Sequence, residues 1–168
     1  MGMMACYMEA DMEKIQLFKS MDEDGLFEQV EELGESGEWE TFDLDKLWDG
    51  IHFLLTGASA DLPIYGNVMS EAIVGEKKFI DEEDTDYIAY ICPEHLKEIV
   101  TALEQLDLRE IGKRYNPKEF AKNGIYPNIW MKESEENVRK ELEENLSGLV
   151  EFYKRCSNNE NGVVVSIY

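Results

Sequence analysis

The apolar positions along this chain change their period several times, and each change marks an element. Met3 to Met8 is a short apolar run behind Gly2 and reads as a strand. From about Glu9 to Lys19, Met12, Ile15 and Phe18 recur at the spacing of one helical face. Leu26, Phe27, Val30 and Leu33 make a second amphipathic face, closed by Gly34. Glu35 to Glu40 is polar and reads as a loop. From Asp43 onward, Leu44, Leu47, Trp48, Ile51, Leu54 and Leu55 again fall at helical spacing, and Gly57 stops the pattern. Asp43 or Asp45 is the expected cap of that helix.

Residues 58–86 lose the period. Pro63, Gly66 and Gly75 punctuate them, and five of the six positions from Asp81 to Asp86 are acidic, so the stretch reads as the longest loop. Tyr87 to Cys92 has strand composition. Pro93 then suits a first helical position, and Leu96, Ile99, Val100, Leu103 and Leu106 carry a helix to about Leu106. Two short helical pieces follow, Asp107 to Arg114 and Pro117 to Asn123, with Ile125-Tyr126-Pro127 extended or turning. Ser134 opens a long helix to about Cys156, with Val138, Leu142, Leu146, Leu149, Val150 and Tyr153 on one face. Gly162 to Tyr168 is β-branched and apolar and reads as a closing strand. Strands and helices do not alternate regularly, as a doubly wound sheet requires. The expected class is α+β: one domain over residues 1–168, with a small sheet that holds both terminal strands under several helices.

Composition sharpens this picture. The 168 residues are 43% hydrophobic and 11% aromatic, enough to pack a core. The formal charge is −21, a field that repels phosphate backbones and attracts basic proteins, so nucleic acid is not an expected partner. The charge is uneven. Residues 1–45 carry a net −12, whereas Arg109, Lys113, Arg114, Lys118 and Lys122 leave residues 109–122 at +3, so the two regions could pair within the fold or between copies. Cys6, Cys92 and Cys156 are odd in number and show no CxxC spacing, which speaks against a disulfide framework and a structural zinc site. No leader-like segment opens the chain, and no apolar run approaches the roughly 18 residues of a membrane span. A cytoplasmic protein, neither exported nor membrane-spanning, is expected.

The chemically able side chains concentrate between Asp43 and Gly57. On a helix, residues three and four apart share a face. Asp45, Asp49, His52 and Thr56 follow at such steps beside Trp48. A carboxylate one turn from a histidine can orient it and raise its pKa, and two oxygens with a nitrogen begin a metal site. The same pattern also fits a capped helix whose Asp49 complements the dipole and whose His52 is hydrogen-bonded at the core edge. Cys92 before Pro93 lies where a thiolate is favoured, with His95 three residues on, but the pair has no evident oxyanion site, and a small buried residue at a strand end is the plainer reading. The acidic runs miss the glycine and glutamate that a calcium loop needs. P-loop, GxGxxG, GxSxG and HExxH patterns are absent from the sequence. No catalytic residue, metal or cofactor is therefore assigned.

Several segments together resemble the YfbM-like family of small bacterial proteins. They are Met1-Gly2-Met3, Leu44-Asp45-Lys46 followed by Trp48-Asp49, and His52-Phe53-Leu54-Leu55-Thr56-Gly57. Ala72-Ile73 with Gly75 and Ile125-Tyr126-Pro127 extend the likeness over nearly the whole length. The resemblance implies an α+β fold of its own type and a cytoplasmic protein, and it implies no reaction. Cys92 stands where relatives tend to carry a capping Thr, which weighs further against a shared cysteine nucleophile.

Two expectations from different classes follow. The first is a non-enzymatic acidic interaction protein, monomeric or a small homo-oligomer, that binds a basic protein in the manner of acidic immunity proteins. The second is a small enzyme or ligand binder. It would use Trp48, Asp49 and His52, with Asp45 on the same stripe, in a cleft walled by Tyr65, Tyr126 and Trp130.

Overall fold

The structure, a computed structural model, describes residues 2–168. Five antiparallel strands form one sheet in the order β2-β1-β5-β4-β3. They are β1 (Ala5–Ala10), β2 (Thr41–Asp45), β3 (Lys77–Lys78), β4 (Tyr87–Ile91) and β5 (Gly162–Ile167). The terminal strands β1 and β5 lie side by side, from Ala5 opposite Ile167 to Ala10 opposite Gly162. β5 pairs with β4 on its other side, so the last strand of the chain is the middle strand of the sheet. That position explains its unbroken apolar run. Val163, Val164 and Val165 are all buried, because both faces of the sheet are covered.

Successive residues of a strand point to opposite faces, and the two faces feed two cores. Ala5, Tyr7, Ala89, Ile91, Val163 and Val165 face the larger core. It is built with α3 (Trp48–Thr56), α4 (Val68–Val74), α5 (Pro93–Glu104), α6 (Leu108–Gly112), α7 (Pro117–Lys122) and α8 (Glu135–Asn158). Met8, Ala10, Ile88 and Val164 face α1 (Met12–Lys19) and α2 (Glu23–Ser36). Polar side chains inside this frame have partners. The Tyr7 and Tyr153 hydroxyls donate to the Ile73 and Ala72 carbonyls at the end of α4, at 2.6 and 2.5 Å. Glu9, buried in β1, accepts from the Asn159 and Asn161 side chains in the α8–β5 connection.

The helices over α1, α2, α5, α6, α7 and α8 start at Asp11, Asp22, Cys92, Asp107, Asn116 and Ser134, within a few residues of the sequence expectation. Two segments differ. Asp43 to Asp45 is strand, not helix. Thr41, Phe42, Asp43, Leu44 and Asp45 alternate polar and apolar, and the segment pairs with β1 from Met8 opposite Thr41 to Ala5 opposite Asp45. Leu44 fits either period, and pairing with β1 decides for the strand. Neither Asp43 nor Asp45 caps α3, whose start at Leu47 has no side-chain cap. Asp45 instead turns the chain out of β2 at a φ of 49°.

The second difference lies in residues 58–86, which are not a continuous loop. They hold α4 and the two-residue strand β3. The Asn67 side chain starts α4 by accepting from the Met69 and Ser70 amides. The helix has seven residues, and two of its buried positions are polar, Ser70 and Glu71, so no apolar period shows in the sequence. No helix among the described residues is long and apolar enough to cross a membrane.

Candidate functional site

α3 lies close under the aromatic part of the core because Gly50 allows it. A Cβ there would sit 2.7 Å from the Trp130 ring. This close approach places Asp49 and His52 inside the protein, at the base of the loop that joins α3 to α4. Asp49 is buried, and both of its oxygens are engaged. Oδ1 accepts from the Ala60 amide at 2.7 Å and Oδ2 from the Tyr126 amide at 2.8 Å. The Ser59 hydroxyl lies 3.1 and 3.2 Å from the two oxygens. One carboxylate thus ties together α3, the α3–α4 loop and the Ile125–Pro127 turn.

His52 is fully buried one turn on. Its Nδ1 lies 2.7 Å from the Ala58 carbonyl and its Nε2 2.7 Å from the Ser70 hydroxyl. A carbonyl only accepts, so Nδ1 carries the proton and Nε2 accepts from Ser70. The Ser70 oxygen in turn accepts from the Ile64 amide at 2.9 Å. Burial holds the imidazole below its ordinary pKa of 6.5, against the opposing pull of the Ala58 carbonyl and the Asp49 charge. The neutral ring is the form this network needs. Thr56, the last member of the stripe, donates to the His52 carbonyl and accepts from the Ala58 amide. Among the described residues Asp49 and His52 share no hydrogen bond, so they do not form an acid–base dyad. Ser59, Ser70 and Thr56 complete the network. The sequence places Thr56 on the stripe but marks Ser59 and Ser70 only as small hydroxyl residues that follow Gly57 and Asn67.

The lowered histidine pKa has a consequence with a definite sign. Below the ordinary value of 6.5 the unfolded chain binds a proton that the folded chain resists, so His52 costs stability as pH falls. His52→Gln removes that loss. Denaturant unfolding of wild type and variant should give stability curves that converge between about pH 7.5 and about pH 5. Parallel curves over that range would contradict a neutral, buried His52.

The other expected residues scatter. Trp48 is 3% exposed, donates its indole N–H to the Met3 carbonyl at 3.2 Å, and lies against the Tyr126 ring with centroids 5.7 Å apart. Trp48→Ala should cost about 3 kcal/mol, the low end for truncating a buried aromatic, because Tyr126 can settle into part of the space. A melting temperature unchanged by the substitution would mark Trp48 as a surface recognition residue instead. Trp130 is 0% exposed, donates to the Ile125 carbonyl at 2.7 Å, and packs edge-on against Tyr115 and Phe120, so it walls no cleft. Asp45 and Tyr126 border a shallow depression of about 410 Å³ with Lys46 and Glu141. Tyr65, 55% exposed, borders a different one with Glu76, Lys77, Lys78 and Asp81. The structure therefore does not assemble the cleft drawn from Trp48, Asp49 and His52 to Tyr65, Tyr126 and Trp130.

Cys92 and His95 do not form a nucleophile pair. The Cys92 thiol is pushed up, by burial first and by Glu76 beside it, against the lowering effect of the His95 and Glu94 amides. His95 turns to carboxylates instead, with Nε2 3.3 Å from Glu71 and Nδ1 3.2 Å from Glu98. The Glu71 contact has ion-pair distance but not hydrogen-bond alignment. Among the described residues no three His, Cys, Asp or Glu side chains converge as metal ligands.

A groove lined by three carboxylates and no lysine or arginine lies on the opposite face of the sheet. α2 and strands β2, β1 and β5 enclose this groove of about 210 Å³, lined by Cys6, Met8, Glu31, Glu35, Asp43 and Tyr168, among others. Burial and the neighbouring Asp43 push the Cys6 thiol to about 12, so it is not a nucleophile. The acidic and basic regions of the sequence are not joined by ion pairs among the described residues. Glu40 pairs with Arg155, and Lys113 with Glu110 in its own helix.

Comparison with known proteins follows the fold closely. A family model described as a domain of unknown function, DUF1877, matches residues 1–166. Protein YfbM of Escherichia coli (strain K12) is 29% identical over 168 residues, covering 99% of each chain. The crystal structure of YfbM, titled as a protein of unknown function, superposes with a TM-score of 0.78 over 98% of this chain and 99% of that one. Family model, sequence and structure agree over nearly the full length, and the chain belongs to the DUF1877 family.

Proposed function

We propose that this protein is a non-enzymatic, cytoplasmic interaction protein whose acidic surface takes up basic side chains of a partner protein. The observation that carries the reading is the groove between α2 and the sheet. Glu31, Glu35 and Asp43 line it, and none of the three takes part in an ion pair among the described residues. Met8 and Val30 supply apolar wall beside them. A Lys or Arg side chain has the matching chemistry, an apolar stem under a charged head. The overall −21 charge adds long-range attraction for a basic partner. The alternative reading, a small enzyme or ligand binder around Trp48, Asp49 and His52, has weaker support. The polar atoms of Asp49 and His52 are engaged inside the protein and line none of the depressions described above.

A triple variant, Glu31→Gln, Glu35→Gln and Asp43→Asn, tests the reading. Wild type immobilised in native lysate should retain basic proteins that elute with salt, and the triple variant should lose them. Retention of the same proteins by both, or of none by wild type, would contradict the proposal.

A further inference from the structure

The buried polar residues of α3 and α4 act on one short segment. Residues 57–67 connect the two helices, and three of their backbone groups are held by side chains from below. The Ala58 carbonyl is held by His52, the Ala60 amide by Asp49 and the Ile64 amide by Ser70. Connecting segments of this length are ordinarily mobile. This one is fixed along its length by groups that are costly to bury. What it presents outward is apolar. Leu62 is 77% exposed, and Ile64 and Tyr65 are exposed around Pro63. Four consecutive apolar residues at a surface are otherwise avoided, because each favours association. Asp61 precedes them, and Asp81 borders Tyr65 at the start of the acidic 81–86 run. Glu76, Lys77 and Lys78 line the same depression, with Lys78 over the Tyr87 ring, and the carboxylates of Asp61, Glu76 and the 81–86 run outnumber the two lysines in these segments.

We infer that the 57–67 loop is a preorganised docking element, whose Leu62, Ile64 and Tyr65 insert into an apolar pocket of a partner protein rimmed by Lys or Arg. Asp49, His52 and Ser70 are its positioning residues. Holding a loop in its bound shape lowers the ordering cost of association, which gives the internal hydrogen bonds a role beyond stability. The flanking carboxylates select the basic rim. The inference rests on the reading of this chain as an interaction protein with a basic partner, and it places a second contact apart from the α2 groove.

The test uses the full chain carrying the photo-crosslinker p-benzoylphenylalanine at Leu62, or at Leu17, which is 50% exposed on α1, as a control. Irradiation in native lysate and mass spectrometry identify the adducts, and the adduct protein is purified for titration. The expected result is an adduct specific to position 62. Its affinity for the chain should fall more than about tenfold with Leu62→Ser plus Ile64→Ser, as for a lost central anchor. It should also weaken with rising salt. His52→Gln, which leaves the apolar tip intact, should lower affinity as well. No position-specific adduct, an adduct that is a second copy of this chain, or binding insensitive to salt or to the loop variants would overturn the inference. If the triple groove variant abolishes binding and the loop variants do not, the loop inference falls and the interaction reading stands. If neither set matters, both fall.

Discussion

A chain truncated after Gly162 should not fold. Val163 to Ile167 belong to the middle strand of the sheet, paired with β1 on one side and β4 on the other. Without β5 the β1–β2 pair has no hydrogen-bonded link to the β3–β4 pair, because the sheet order runs through β5. Both cores lose their floor, since Val163 and Val165 face the α8 side and Val164 faces α1 and α2. Three fully buried valines contribute about 1.5–3 kcal/mol each, before either ladder of hydrogen bonds is counted. Domains of this kind are stable by only about 5–15 kcal/mol in total. The truncated chain should show no cooperative melt by circular dichroism and should aggregate. A soluble truncation with a cooperative transition would disprove the central placement of β5.

The second large effect belongs to Asp49. Asp49→Ala leaves the Ala60 and Tyr126 amides and the Ser59 hydroxyl without their acceptor in a buried site. Three lost hydrogen bonds to a carboxylate, at about 1.5–2 kcal/mol each, give a loss of about 4.5–6 kcal/mol. Asp49→Asn keeps one acceptor oxygen but turns an NH2 group toward one of the two amides, so it should recover only part of the loss. Equilibrium unfolding of both variants measures this. An Asp49 held for chemistry rather than for structure would behave oppositely, with stability unchanged or raised on substitution.

Much of this arrangement is legible in the sequence, for reasons that differ by element. β5 shows itself because a strand covered on both faces must be apolar at every position. α5 and α8 show themselves because each buries one stripe and begins with a proline or a capping serine. Their lengths leave no room for the other period. Asp43 to Asp45 misleads because a five-residue strand carries too few positions to outvote the helical spacing of Leu44 with Leu47 and Trp48. Its partner β1 is more than thirty positions away in the sequence. α4 is hidden for a related reason. Its buried Ser70 and Glu71 interrupt the apolar face, and Ser70 is polar because the network of His52 and Ile64 requires a hydroxyl there.

The candidate stripe was half legible. Asp49 and His52 do share a face of α3, as their spacing indicates. Asp45 leaves the stripe because helix gives way to strand before it. The backbone partners of Asp49 and His52 leave no mark in the sequence, because Ala58, Ala60 and Tyr126 contribute main-chain groups, on which the side-chain pattern is silent. Trp130 shows the same limit. Nothing in its neighbourhood in the sequence reveals that Gly50, eighty positions earlier, opens the space that its ring fills.

Asp49, His52 and Ser70 hold the 57–67 loop and its neighbour at Tyr126 in one conformation. Native-state hydrogen exchange of the wild-type protein tests it most directly, read at the Ala60, Ile64 and Tyr126 amides. These three amides should exchange as slowly as amides inside α3, and His52→Gln should accelerate Ile64 well before it affects β5. Exchange of the three at the rate of an open peptide in wild type, with the helices protected, would contradict it.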